Sequence, residues 1–332
     1  MTPIATSLDW LLDRTVVGGY SSIGYRLRGL EGASADPEGR LRGSHVVVTG
    51  ANSGIGFAAC KALAEYGAEV HMVSRDRRRG ETARTRIAEL TGSDRLHLHL
   101  ADLSDLDAVR SLATALAADL GSIDALVHNA GALLDSRQRS AQGYEMTFAA
   151  HVLGPFLLTH LVMPELAAEA GGRVIFVTSG GMYTARLDLG DLQLERRPFD
   201  GSTAYAHAKR AQMVLTAELQ RRADGTTSFH AMHPGWAETP GVESSLPRFH
   251  ALTRPVLRTA EAGADTVVWL TAARRPDSEP GRLWMDRRPR PEHRVPWTHE
   301  ESGDGARLYE ACAELTGIDS QTSTSARKTA AV

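Results

Sequence analysis

The chain has 332 residues, 42% of them hydrophobic, and a formal charge of −3 at pH 7. That balance fits a globular protein and carries no basic surplus for nucleic acid, while two cysteines, Cys60 and Cys312, cannot build a disulfide framework. No window reaches the roughly 18 apolar residues of a membrane span, no secretory leader is evident, and a reducing cytoplasm is the expected compartment.

Residues 1–42 read as an N-terminal extension that packs on or covers the core, with an amphipathic piece from Leu8 to Arg14 and a Gly- and Ser-punctuated stretch after it. A membrane-surface helix is the alternative, but basic residues are few there. The run His45-Val46-Val47-Val48-Thr49 suits a buried strand and feeds into Gly50-Ala51-Asn52-Ser53-Gly54-Ile55-Gly56, after which a helix pattern runs to about Tyr66. Glycines at a strand-to-helix turn let backbone approach a pyrophosphate, whose charge then sits at the helix N-terminus. The spacing Gly-x-x-x-Gly-x-Gly differs from the commoner Gly-x-Gly-x-x-Gly.

A second strand, Glu69 to Val73, ends in Ser74-Arg75-Asp76. Ser and Arg at this place suit the 2′-phosphate of NADP, whereas an acidic residue suits the ribose of NAD. NADP is therefore favoured, with Asp76 keeping NAD as the weaker alternative; Arg77 to Arg79 read as a solvated helix start. The third strand, Leu96 to Leu100, alternates His97 and His99, and a half-polar strand face explains them better than a metal site. Asp102 and Leu103 follow at the nucleotide side, and Asp105 is placed to begin a helix.

A fourth strand, Ala125 to His128, leads into Asn129-Ala130-Gly131, and a long helix pattern covers about 142–161 with a kink expected at Gly154-Pro155. The fifth strand, Arg173 to Val177, places Ser179 at a strand C-terminus, the ligand side of an open α/β sheet. Tyr205 and Lys209 then share one face of a helix running to about Arg222, where an ammonium would favour the phenolate. A sixth strand, Ser228 to Met232, ends in His233-Pro234-Gly235-Trp236, with Thr239 placed to reach a carboxamide or phosphate. Residues 236–258 read as a cover over an apolar pocket, 291–319 as a C-terminal helical region and 320–332 as a disordered tail. Strands alternating with helices imply an α/β fold: a Rossmann-type, doubly wound parallel sheet of about seven strands spanning 43–290.

Thr49-Gly50-x-x-x-Gly54-x-Gly56, Asn129-Ala130-Gly131, Ser179, Tyr205-x-x-x-Lys209 and Pro234-Gly235, in this order, resemble the short-chain dehydrogenase/reductase superfamily over about 43–290. Thr178 to Met182, Pro198 to Gly201 and His233 to Val242 are most similar to its retinol-dehydrogenase-like branch, and within that to the dehydrogenase/reductase family member twelve group. The resemblance implies Tyr205 as general acid or base, Lys209 as the group that lowers its pKa and holds the nicotinamide ribose, and Ser179 as a hydrogen-bond partner of the substrate oxygen. The family's usual Asn, which helps hold a water linking the Lys to solvent, is replaced by His151. A small lipophilic or polycyclic carbonyl or secondary alcohol is the implied substrate, and a homodimer or tetramer through the long helix and the Tyr205 helix the expected assembly. The competing expectation is an NADP(H)-binding sensor or scaffold with little catalysis. A serine hydrolase lacks its Gly-x-Ser-x-Gly elbow.

Overall fold

The computed structural model describes residues 9, 12–36, 39–166, 171–238, 251, 253–273 and 279–319. Eight strands form one sheet in the order β3-β2-β1-β4-β5-β6-β7-β8. These are β1 His45–Thr49, β2 Glu69–Ser74, β3 Leu96–Leu100, β4 Ala125–His128, β5 Gly172–Val177, β6 Thr227–Met232, β7 Leu283–Met285 and β8 Arg288–Arg290. Pairing is parallel from β3 through β7, and β8 returns antiparallel, Leu283 facing Arg290.

The extra strand is the difference from the expected seven. It arises because Asp286 and Arg287 both take left-handed backbone, φ 56° and 57°, so a two-residue turn reverses the chain; without Asn-Gly or Gly at that turn the sequence gives no hairpin signal.

Successive strand residues face opposite sides, which sorts the valines of β1 into two cores. Val47 joins Val73, Leu126, Val174 and Phe176 under the helices Leu106–Asp119, Gly154–Leu161 and Gly201–Arg222. Val46 and Val48 join Val70, Met72, Val127 and Ile175 under Gly54–Glu65 and Ala260–Ala272. All three valines are fully buried, each contributing about 1.5–3 kcal/mol of transfer free energy, and both faces being covered explains the unbroken apolar run.

The expected long helix is instead a short turn, Met146–Phe148, a π-helical turn, Ala149–Leu153, and the helix Gly154–Leu161. Pro155 has no N–H to give to the carbonyl four residues back, that of His151, and the wider turn absorbs the defect. Asp105 does begin a helix, its side chain accepting from Asp107 N. His97 is exposed at the sheet edge, with Nε2 3.1 Å from Glu69; among the described residues no His, Cys, Asp or Glu group could hold a metal.

The N-terminal helices Val16–Tyr20 and Ser22–Leu27 lie against the loop after β6. Tyr20 stacks on His233 at 4.9 Å and its carbonyl accepts from Trp236 N at 2.8 Å. Arg258 donates to the carbonyls of Gly19 and Ser21 and to Asp286, and Arg28 also pairs with Asp286. Arg258 and Asp286 are each 1% exposed, and replacing Asp286 would take the shared carboxylate from both Arg258 and Arg28, at about 3–5 kcal/mol. The C-terminal helix, Asp304–Thr316, buries Leu308, Tyr309, Cys312 and Ala313 in the core beneath the Tyr205 helix. Most of the expected cover at 236–258 and the tail 320–332 lie outside the described residues.

Candidate active site

The C-terminal ends of the parallel strands open into a cavity of about 670 Å3. The sequence-predicted residues line it, from Gly50, Asn52, Ser53, Gly54 and Ile55 through Arg75, Asp102, Leu103, Asn129, Ala130 and Gly131 to Ser179, Tyr205, Lys209, Pro234 and Gly235. Two do not, Gly56 and His151, which lie behind the wall; Thr239 falls outside the described residues.

The glycine loop is built for close approach. Gly50 has φ +66°, and a Cβ there would come within 2.7 Å of Ala130 Cα; one on Gly56 would stand 2.3 Å from the Gly50 carbonyl. Gly56 therefore serves loop packing. Thr49 and Asn129 brace the loop from below: Asn129 Nδ2 donates to the Thr49 and Gly50 carbonyls, and Thr49 Oγ1 accepts from the backbone N–H groups of Asn129 and Ala130. Ser53, the N-cap of Gly54–Glu65, makes no side-chain cap. The first N–H groups of that twelve-residue helix thus open toward the cleft, which suits a phosphate.

At the end of β2, Arg75 is exposed on the cleft. The Asp76 carboxylate is engaged, accepting from Arg79 N at 2.8 Å as the cap of Arg77–Thr91. Arg77 and Arg78 are exposed in that first turn, the solvated start expected of them, whereas Arg79, expected to be solvated with them, lines the cleft with Arg75. Asp102 Oδ1 accepts from both the backbone and the hydroxyl of Ser104, so one of its oxygens is occupied locally.

Ser179 follows β5 and caps the 3₁₀ turn Gly180–Thr184 through Gly181 N. Its hydroxyl lies on the cleft with Tyr205, whose phenol it favours in the charged form. The helix Gly201–Arg222 starts at Asp200, whose side chain accepts from Thr203 N, and sets Tyr205 and Lys209 one turn apart. Lys209 Nζ lies 5.4 Å from the centroid of the Tyr205 ring. It donates to the Val177 carbonyl at 2.8 Å and to Gln212 Oε1 at 3.1 Å.

Burial acts against charge on both groups. It pushes the Tyr205 phenol above its ordinary value, the Ser179 hydroxyl opposing it, and lowers the Lys209 ammonium to about 7. The sequence-based expectation of a phenol lowered by Lys209 is not met in this arrangement, where desolvation outweighs an ammonium that far from the ring.

His151 is buried, its ring edge-on to Tyr205 at 5.5 Å between centroids. Its Nε2 accepts the Ala132 N–H at 2.9 Å, which places the proton on Nδ1. Burial, with Lys209 adding to it, holds this imidazole well below its usual pKa. The ring is therefore neutral, makes no hydrogen bond to Lys209 and does not titrate near neutrality. Sequence reasoning missed Gln212, whose Nε2 donates to the His151 carbonyl at 2.8 Å; its position three residues after Lys209 was the available signal.

A family model described as short chain dehydrogenase matches residues 44–248. Human dehydrogenase/reductase SDR family member 12 is 40% identical over 273 residues, 81% of this chain and 85% of its own length. A Streptomyces sp. (strain C5) protein provisionally named daunorubicin C-13 ketoreductase DnrU is 34% identical over 281 residues, 85% of this chain and 95% of its own. Among solved structures, the Pseudomonas aeruginosa RhlG/NADP active-site complex has a TM-score of 0.62 at 23% identity, covering 74% of this chain and 96% of that one. At that identity it speaks to the fold alone.

Proposed function

The chain belongs to the short chain dehydrogenase family, and from that premise we propose that it is an NADP(H)-dependent oxidoreductase acting on a carbonyl or secondary alcohol of a lipophilic small molecule. The observation that carries the reading is the convergence of Ser179, Tyr205 and Lys209 on one cleft with an uncapped helix N-terminus and an exposed Arg75.

The donor set fits the cofactor. Open N–H groups at Gly54 and Ile55 would take the pyrophosphate and Arg75 the 2′-phosphate, while Asp76, also on the cleft, gives one oxygen to its helix cap. When bound, the nicotinamide supplies or accepts the hydride. The protein's own residues manage the oxygen and its proton: Ser179 donates a hydrogen bond to the substrate oxygen, and the Tyr205 hydroxyl gives its proton to that oxygen in reduction or removes it in oxidation. Lys209, held against β5, stands beside the Tyr205 ring and would hold the ribose.

Similarity to a protein named as a ketoreductase supports the carbonyl chemistry, and the exposed Arg75 beside the uncapped helix start supports the cofactor. The test is kcat/KM with NADPH and NADH across a panel of aryl and polycyclic ketones. We expect NADPH to be preferred at least about tenfold, roughly 1.4 kcal/mol, and Arg75→Ala to erase most of that preference. Equal use of NADH, or a preference untouched by Arg75→Ala, would remove the NADP assignment.

A further inference from the structure

The Lys209 ammonium is anchored entirely inside the protein on its far side from the cleft. Two acceptors take it, the Val177 carbonyl and Gln212 Oε1, and the other end of the same carboxamide donates to the His151 carbonyl at 2.8 Å. Lys209 is 3% exposed and Gln212 1%. The sequence prepares each part of this chain. Gln212 shares the Lys209 face of the helix, and Pro155 cannot supply the α-helical N–H to the His151 carbonyl. The π turn Ala149–Leu153 carries that carbonyl to the Tyr205 helix, and the His151 ring is kept out of the way by Ala132 N.

We propose that Gln212 is a positioning residue whose carboxamide fixes the Lys209 ammonium against the main chain of His151, in the role that the family resemblance gives to a water held by an Asn. The inference rests on the oxidoreductase reading of Tyr205 and Lys209. Its consequence concerns the proton. A carboxamide transmits hydrogen-bond polarity, but its N–H is far too weak an acid to hand a proton onward, so the route from Lys209 through Gln212 to the His151 carbonyl is a closed end. The proton that Tyr205 exchanges with substrate therefore does not leave along this chain, and the cleft, which Ser179, Tyr205 and Lys209 all line, is the side left to it.

The groups facing Lys209 are few. Tyr205 lies on its own helix, His151 comes from the π turn, and β5 presents the Val177 carbonyl. Burial alone accounts for the shift of Lys209, with no carboxylate contributing. Gln212 Oε1 accepts from the charged form and so favours it; without that acceptor the ammonium would lose its proton at lower pH.

The experiment is the pH profile of kcat/KM, together with the pH dependence of NADPH affinity, for the wild-type chain, Gln212→Leu and Gln212→Glu. Gln212→Leu should move the alkaline limb down by about one pH unit, so that activity falls about tenfold at pH 8 and less than about threefold at pH 6. Gln212→Glu should move the same limb upward, because a carboxylate holds the ammonium more strongly. Profiles parallel to wild type, whether at full or reduced level, would overturn the proposal, and a uniform loss with a lower melting temperature would mark Gln212 as packing only. If Gln212→Leu does not fold, the direction of the Gln212→Glu shift decides. A protein that binds NADPH but turns over nothing would sink the oxidoreductase reading, while the binding profile would still decide the place of Gln212.

Discussion

Tyr205 and Lys209 show how far burial can override a pairwise expectation. Side by side on a helix they suggest a phenolate stabilised by an ammonium, yet the protein disfavours charge on each, raising the phenol and lowering the amine to about 7. His151 follows the same physics: a buried imidazole accepting one backbone N–H is a neutral wall element. An Asn in its place offers a carboxamide oxygen to the same Ala132 N–H and leaves the backbone carbonyl to Gln212. We therefore expect His151→Asn to keep kcat/KM within about tenfold of wild type. A loss beyond about a hundredfold, roughly 2.7 kcal/mol of barrier, would give the imidazole a dedicated part in the chemistry.

Among the secondary elements, two neighbours of the Tyr205 helix decide what it can do. The π turn, provoked by Pro155, brings a carbonyl to Gln212 on the inner side. On the outer side the C-terminal helix occupies the surface: Tyr309 lies 2.9 Å from His160 Nε2, Arg222 sits over the Tyr309 ring at 3.9 Å, and Tyr144 donates to the Leu315 carbonyl. The sequence reading expected pairing between copies through this surface; the N-terminal extension, for its part, packs on the loop after β6. With Leu308, Tyr309, Cys312 and Ala313 buried within one chain, we expect this face not to pair with a second copy. Light scattering at micromolar concentration should give the mass of a single chain, 35.8 kDa. A mass of twice that value or more at the same concentration would contradict the account.

Over the whole molecule, what could be read in the sequence is what depends on local spacing. The glycine loop, the Tyr205 and Lys209 pair, and Ser179 after an apolar strand are all short-range patterns, and the fold returns them to one cleft. Features that depend on contacts between distant segments were not legible. β8 needs a left-handed Asp286-Arg287 turn that its residue types do not announce; Gly56 and Asn129 turned inward to brace the loop; and Gln212 acquired its place only because a proline 57 positions earlier spoiled a helix carbonyl. The central claim, that this cleft moves a hydride with Tyr205 managing the proton, is tested most directly by NADPH-dependent ketone reduction in wild type and Tyr205→Phe, with NADPH affinity measured on both. The account predicts turnover in wild type and a loss of at least about a thousandfold in Tyr205→Phe, roughly 4 kcal/mol of barrier, with affinity kept within about threefold; turnover by Tyr205→Phe within about tenfold of wild type would contradict it.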